Sequence, residues 1–143
     1  MRQLILAIAL IALSGCGPVD APNTIPGHYE LKSRDVNVSL EVRADGTYTE
    51  TVKYRTNGEE NNSNRWKWAV NQVIFNDILL PEIDRLGPEH FFGPETAKRL
   101  NAHKTVQGTI QLDWSMAAEK VFGDIRLAPY PDNDLFFHKT GQQ

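Results

Sequence analysis

One thiol stands in this chain, at Cys16, and its neighbours restrict what it can do. Met1-Arg2-Gln3 gives a short positive start, an unbroken apolar run from Leu4 to Leu13 follows, and Ser14-Gly15 put two small residues directly before the sulfur. Positive charge, a short apolar run and a small-residue site, in that order, make a secretory signal. A helix needs about 20 apolar residues to cross a bilayer, so this run is too short to remain as a span.

Leu13-Ser14-Gly15-Cys16 resembles the lipobox of bacterial lipoproteins. The resemblance implies that the Cys16 sulfur takes a diacylglycerol through a thioether, that the signal is cut between Gly15 and Cys16, and that the new amine can be acylated in turn. Each buried CH₂ contributes about 0.8 kcal/mol and stable anchoring takes at least two chains, so a di- or triacylated Cys16 would hold the chain on a bilayer. Gly17 rather than Asp follows the cysteine, which by the same resemblance implies the periplasmic face of the outer membrane. The expected division is a signal peptide at 1–15, a lipidated tether at 16–26, whose three prolines favour extended backbone, and a domain at 27–143.

With Cys16 acylated no thiol is left for a disulfide or for thiolate chemistry. The four histidines, His28, His90, His103 and His138, form no metal-binding i, i+4 pair, and no nucleophile elbow or phosphate-cradling glycine loop occurs. Asp132-Asn133-Asp134 reads as a turn in preference to a cation site, for want of the Gly and Glu that a calcium loop carries downstream. No enzyme activity, metal or cofactor is therefore expected. The formal net charge of −3, one unit lower once Arg2 is lost, argues against nucleic acid. Two features stand out as candidate ligand contacts. Glu50 falls in the inward phase of a strand, and His90-Phe91-Phe92 lies in a Pro- and Gly-bounded insertion.

These residues must be positioned by β structure. Val36, Val38, Leu40 and Val42 alternate with polar residues, and so do Tyr48, Val52 and Tyr54. A three-residue loop at 44–46 pairs Val42 with Tyr48, Val38 with Val52 and Val36 with Tyr54, whereas a two-residue loop would mix apolar with polar faces. Gly46 is then expected in the left-handed region, at a G1 bulge. Glu50 faces inward opposite Leu40 in this register, at a solvated rim or, on the sharper reading, in a ligand pocket. Residues 56–64 read as an Asn-rich loop. Trp66, Trp68, Val73 and Phe75 alternate about a turn at Asn71-Gln72, which would pair Val70 with Val73 and Trp68 with Phe75. Pro81 and Pro94 can each open a short helix, at 81–86 and 94–101. The strands are expected near 27–33, 36–43, 47–55, 65–70, 73–78, 105–115, 120–127 and 134–140.

Gly27-His28-Tyr29, Asp45-Gly46-Thr47-Tyr48, Trp68 with Val73-Ile74-Phe75, and Asp134-Leu135-Phe136-Phe137 together resemble the small lipocalin-like or half-barrel domains of bacterial lipoproteins. Copper-stress lipoproteins of that kind carry a Cys-x-x-Cys and lysozyme-inhibitor lipoproteins keep disulfides. Both are missing here, so neither role carries over. The expected fold is mainly β, an antiparallel up-and-down meander forming a small closed or partly open lipocalin-like barrel with a short helical or loop insertion. Eight strands enclose an interior wide enough for side chains or one small ligand. The inward set Tyr48, Tyr54, Trp66, Trp68, Phe75, Trp114 and Phe137 would fill much of it. The expected role is a membrane-anchored envelope lipoprotein that presents a packed β domain to a protein partner or serves the envelope structurally. The alternative is a binding module for a small apolar or amphipathic ligand at the barrel mouth, using Glu50, His90, Phe91 and Phe92.

Overall fold

The computed structural model describes residues 16–19, 22–56, 58–81, 89, 92–105, 109–130 and 135–141. Eight antiparallel strands close into a barrel: β2 (Gly27–Lys32), β3 (Val36–Val42), β4 (Thr47–Tyr54), β5 (Glu59–Ala69), β6 (Gln72–Leu79), β7 (Gln111–Val121), β8 (Asp124–Ala128) and β9 (Phe137–Thr140). Each pairs with its sequence neighbours, and β9 returns to β2 to complete the ring. Closure leaves no open sheet edge among these strands. A ninth strand, β1 (Cys16–Pro18), lies outside the ring beside the C-terminal end of β7.

The β3–β4 hairpin has the register that face matching demands. Val42 pairs with Tyr48, Val38 with Val52 and Val36 with Tyr54, and Gly46 sits at φ 84°. The Arg43 and Gly46 amides donate to Thr47 O and Arg43 O, closing the three-residue loop. Tyr48, Phe75 and Phe137 are buried, while Tyr54, Trp66, Trp68 and Trp114 are half-buried against the same core.

Four expectations shift. Residues 56–64 are not a loop over Glu59–Asn64, which is the first half of β5 and pairs with β4 from Lys53 back to Tyr48. Its polar composition hid an alternation in which Glu60, Asn62 and Asn64 share the inward phase of Trp66. The β5–β6 turn is Val70-Asn71, with Asn71 at φ 58°, so Trp66 faces Phe75 and Trp68 faces Val73. This register differs by two residues from the expected one, and the inward set is unchanged. β7 reaches Val121 because Met116 and Ala118 continue the inward phase, and Phe122-Gly123 turns where a continuous strand at 120–127 was expected. The stretch after Cys16 is no spacer over its described residues. Val19 and Ile25 are in the core, the Val19 amide donates to Ala118 O, and Lys139 Nζ donates to Thr24 O at 2.7 Å. Two apolar residues that find core sites outweigh the extended preference of the prolines.

The helix at Pro94–Asn101, here α1, forms as expected, with Pro94 at its start and Ala97 and Leu100 buried. Most of the 81–86 candidate, Val106 and Asp132-Asn133-Asp134 lie outside the described residues. The alternating strand directions sort the turns. Turns 44–46, 70–71 and 122–123 share one end of the barrel with Cys16, and the insertion that holds α1 is at the other.

Candidate functional site

A bulge in β6 creates the most unusual chemistry in the barrel. Between the pairs Phe75–Trp114 and Ile78–Leu112, β6 has two residues where β7 has one. Asp77 takes φ 49°, a region in which Asp is better tolerated than most residues. The inward phase of β6 switches from Val73 and Phe75 to Ile78, which pairs with Leu112 on the face of β7 that also holds Trp114. The bulge also turns backbone groups toward side chains. Asn76 O accepts from the Tyr48 hydroxyl at 2.6 Å, and Asp77 O accepts from Asn62 Nδ2 at 2.7 Å and Gln111 Nε2 at 3.0 Å. The Asp77 amide donates to Asp113 Oδ1 at 2.9 Å.

Glu50 lies against this bulge. Its Oε2 accepts the Leu79 amide at 3.0 Å and lies 3.5 Å from Asn62 Nδ2. Its Oε1 is buried and has no hydrogen-bond partner among the described residues. The residue is 1% exposed, so it does not sit at a solvated rim. Burial pushes its pKa up to about 8, with the charge of Glu60 adding to the rise and the Leu79 and Asn62 hydrogen bonds opposing it. Glu50 is thus mostly neutral at pH 7 and has a proton to donate.

Glu60 is the second buried carboxyl, and it is better served. Tyr54 and Thr109 hydroxyls reach its Oε2 at 2.7 and 2.5 Å, and the Thr105 hydroxyl donates to Oε1 at 3.1 Å. Tyr54 and Thr109 also touch each other, which ties β4, β5 and the chain before β7 together. This group lies toward the insertion end.

Of the residues singled out from the sequence, Glu50 is inward and buried as the register required. Phe92 packs edge-on to Trp114 with ring centroids 5.7 Å apart. His90, Phe91, Gly15 and the Cys16 side chain lie outside the described residues, and only the backbone of Cys16, in β1, is placed. Sequence reading missed Asn62, Glu60, Tyr54 and Thr109 as a group. The even phase shared by Glu60, Asn62, Trp66 and Trp68 was the available signal.

A triad-like chain on the outer wall was also missed. Ser39 Oγ lies 3.3 Å from His28 Nε2, and His28 Nδ1 lies 3.3 Å from Glu41 Oε2. The connectivity matches a nucleophile–base–carboxylate relay. Ser39, however, sits mid-strand in β3, which is paired on both sides, so the local backbone amides are committed to ladders and none is left to hold an oxyanion.

Three of the grooves that described residues line are open to solvent. One of about 460 Å³ runs beside β1, past Gly17, Asn71 and Lys120. One of about 410 Å³ lies along α1, and one of about 380 Å³ lies between Glu30 and Phe136. None is lined by Glu50, Glu60, Tyr48 or Phe75. No protein-family model, curated protein or solved structure matches the chain. Its likeness to lipocalin-like domains therefore stands at the level of an eight-stranded antiparallel closed barrel, with no family assigned.

Proposed function

We propose that this chain is a lipid-anchored envelope lipoprotein, held on the periplasmic face of the outer membrane by acylated Cys16, whose filled barrel offers a rigid surface to a protein partner. The observation that carries the reading is the packed interior. Tyr29, Tyr48, Phe75, Leu40, Ile78 and Met116 are each fully buried inside the ring. The wall supports it too. Outward positions such as Glu30, Lys32, Glu41 and Lys53 are charged, the reverse of a barrel that faces lipid along its length. The lipobox supplies the anchor, and the insertion end, with α1, faces away from it. On this reading the protein acts without catalysis, and the Ser39–His28–Glu41 chain is a contact of the outer wall.

Native mass spectrometry of the acylated chain, extracted in mild detergent, tests this reading. The expected mass is that of protein plus acyl groups. A stoichiometric small molecule carried along with it would refute the filled-barrel role.

One observation favours the second reading, a binding module for a small amphipathic ligand. Buried carboxyl atoms are nearly always hydrogen-bonded, and Glu50 Oε1 is not. A ligand acceptor there would take the proton that Glu50 keeps. On this reading a ligand found in wild type survives in Glu50→Gln, whose amide can donate in place of the proton, and disappears from Glu50→Leu, which has no donor; retention of the ligand by Glu50→Leu would remove Glu50 from the site.

A further inference from the structure

We propose that the barrel end bearing the 122–123 and 70–71 turns lies flat against the bilayer, with Phe122 inserted among the acyl chains beside the lipid on Cys16. The inference rests on the lipidation reading above and adds an orientation to it.

The register of β1 provides the geometry. Cys16 is opposite Val121 and Gly17 opposite Lys120, so the backbone of the anchored residue is one position from the 122–123 turn. Nothing loose separates the two. Val19 is buried two residues after the β1 midpoint, its amide is bonded to Ala118 O, and Ile25 is fully buried. Lipid on Cys16 would therefore bring this end of the barrel to the headgroups.

The composition of that end is the second observation. Among the described residues the two large apolar side chains left exposed are Val70, at 85%, and Phe122, at 82%. Both are at turns on the Cys16 end. Phe122 is poorly suited to its turn. It occupies φ 49° ahead of Gly123 at φ 90°, a two-residue turn that favours Asn-Gly. A bulky residue is strained in that region, and so exposed a ring gains little from the core in return. A bilayer surface would repay both penalties, because apolar rings are stabilised at the interface. Lys120, exposed at the same edge, has the charge to meet phosphate headgroups. Arg43, Asp45 and Asp124 are exposed at the same end and would lie at headgroup depth beside Lys120, while the opposite end exposes Glu95, Lys98 and Arg99 on α1 and no large apolar side chain among the described residues.

The test uses the full acylated chain in phosphatidylethanolamine–phosphatidylglycerol vesicles. An environment-sensitive fluorophore is attached to Phe122→Cys in one sample and to Arg99→Cys in another, and nitroxide groups are placed on the lipid acyl chains. The expected result is a blue shift and strong loss of emission at position 122 and no change at position 99. Vesicle-bound protein with both labels in water overturns the orientation and leaves the anchor intact. A label at 122 that is shielded but not quenched by nitroxide lipid indicates a protein contact and also overturns it. A chain whose Cys16 mass shows no lipid, and which does not float with vesicles, overturns the anchor and the orientation together.

Discussion

Glu50 Oε2 accepts the Leu79 amide at 3.0 Å, and this one bond ties the middle of β4 to the strand beyond the β6 bulge. The other oxygen of the same carboxyl is buried without a partner among the described residues. An ionised group there would be costly, and a proton relieves that cost.

Stability should therefore fall as pH rises. The folded-state pKa of about 8 lies above the usual glutamate value, so the native state holds a proton that the unfolded state releases first. The favourable contribution is complete below about pH 4.5, declines through the interval to pH 8, and is gone above it. Each pKa unit is worth about 1.4 kcal/mol, so the total is several kcal/mol. Chemical denaturation from pH 5 to pH 9 should show this decline in wild type, with much of it missing in Glu50→Gln, which should be the more stable chain at pH 9. Parallel profiles for the two proteins would contradict the assignment.

Thr109→Val should destabilise the fold by about 1–3 kcal/mol, since it nearly preserves volume while removing a hydroxyl that donates to Glu60 and touches Tyr54. Urea denaturation measures the loss. An unchanged midpoint would mean that Tyr54 and Thr105 satisfy Glu60 unaided.

Gly46 is needed for its backbone angle alone, because the nearest atom to an added Cβ is Trp66 O at 3.7 Å, an ordinary contact. At φ 84° a β-branched residue is strained. Gly46→Val should lower stability by roughly 1–2 kcal/mol or more, and Gly46→Asn by clearly less. Equal losses would point to sterics in place of backbone strain.

The Ser39–His28–Glu41 chain should be catalytically silent. Hydrolysis of an activated ester by the purified protein should be the same for wild type and Ser39→Ala. A rate that drops in the variant would establish an oxyanion-binding group that the strand does not supply from its own backbone.

Much of the fold was legible where apolar and polar residues alternate and a glycine marks the turn, as from Val36 through Gly46 to Tyr54. Glu50 was placed inward by that same register. Legibility failed where the inward face is itself polar. Glu60, Asn62 and Asn64 keep the period of a strand with the composition of a loop, and only their partners Tyr54, Thr109 and Asp77 explain the inward phase, in which Glu60 is buried and the two asparagines are half-buried. The Asp77 bulge was hidden for a related reason: it shifts the phase of β6 by one residue, so the alternation of Val73 and Phe75 breaks at Asp77. The docking of Val19 and Ile25 could not be read locally, because their core sites are built by distant strands. The Ser39–His28 contact depends on the β2–β3 register, which no glycine turn announces.

Membrane attachment turns on Cys16, and labelled palmitate supplied to growing cells tests it most directly. Wild-type protein should take up the label and fractionate with membranes, and Cys16→Ser should do neither. Equal labelling of the two, or an unlabelled wild type released in soluble form, would contradict the anchored barrel.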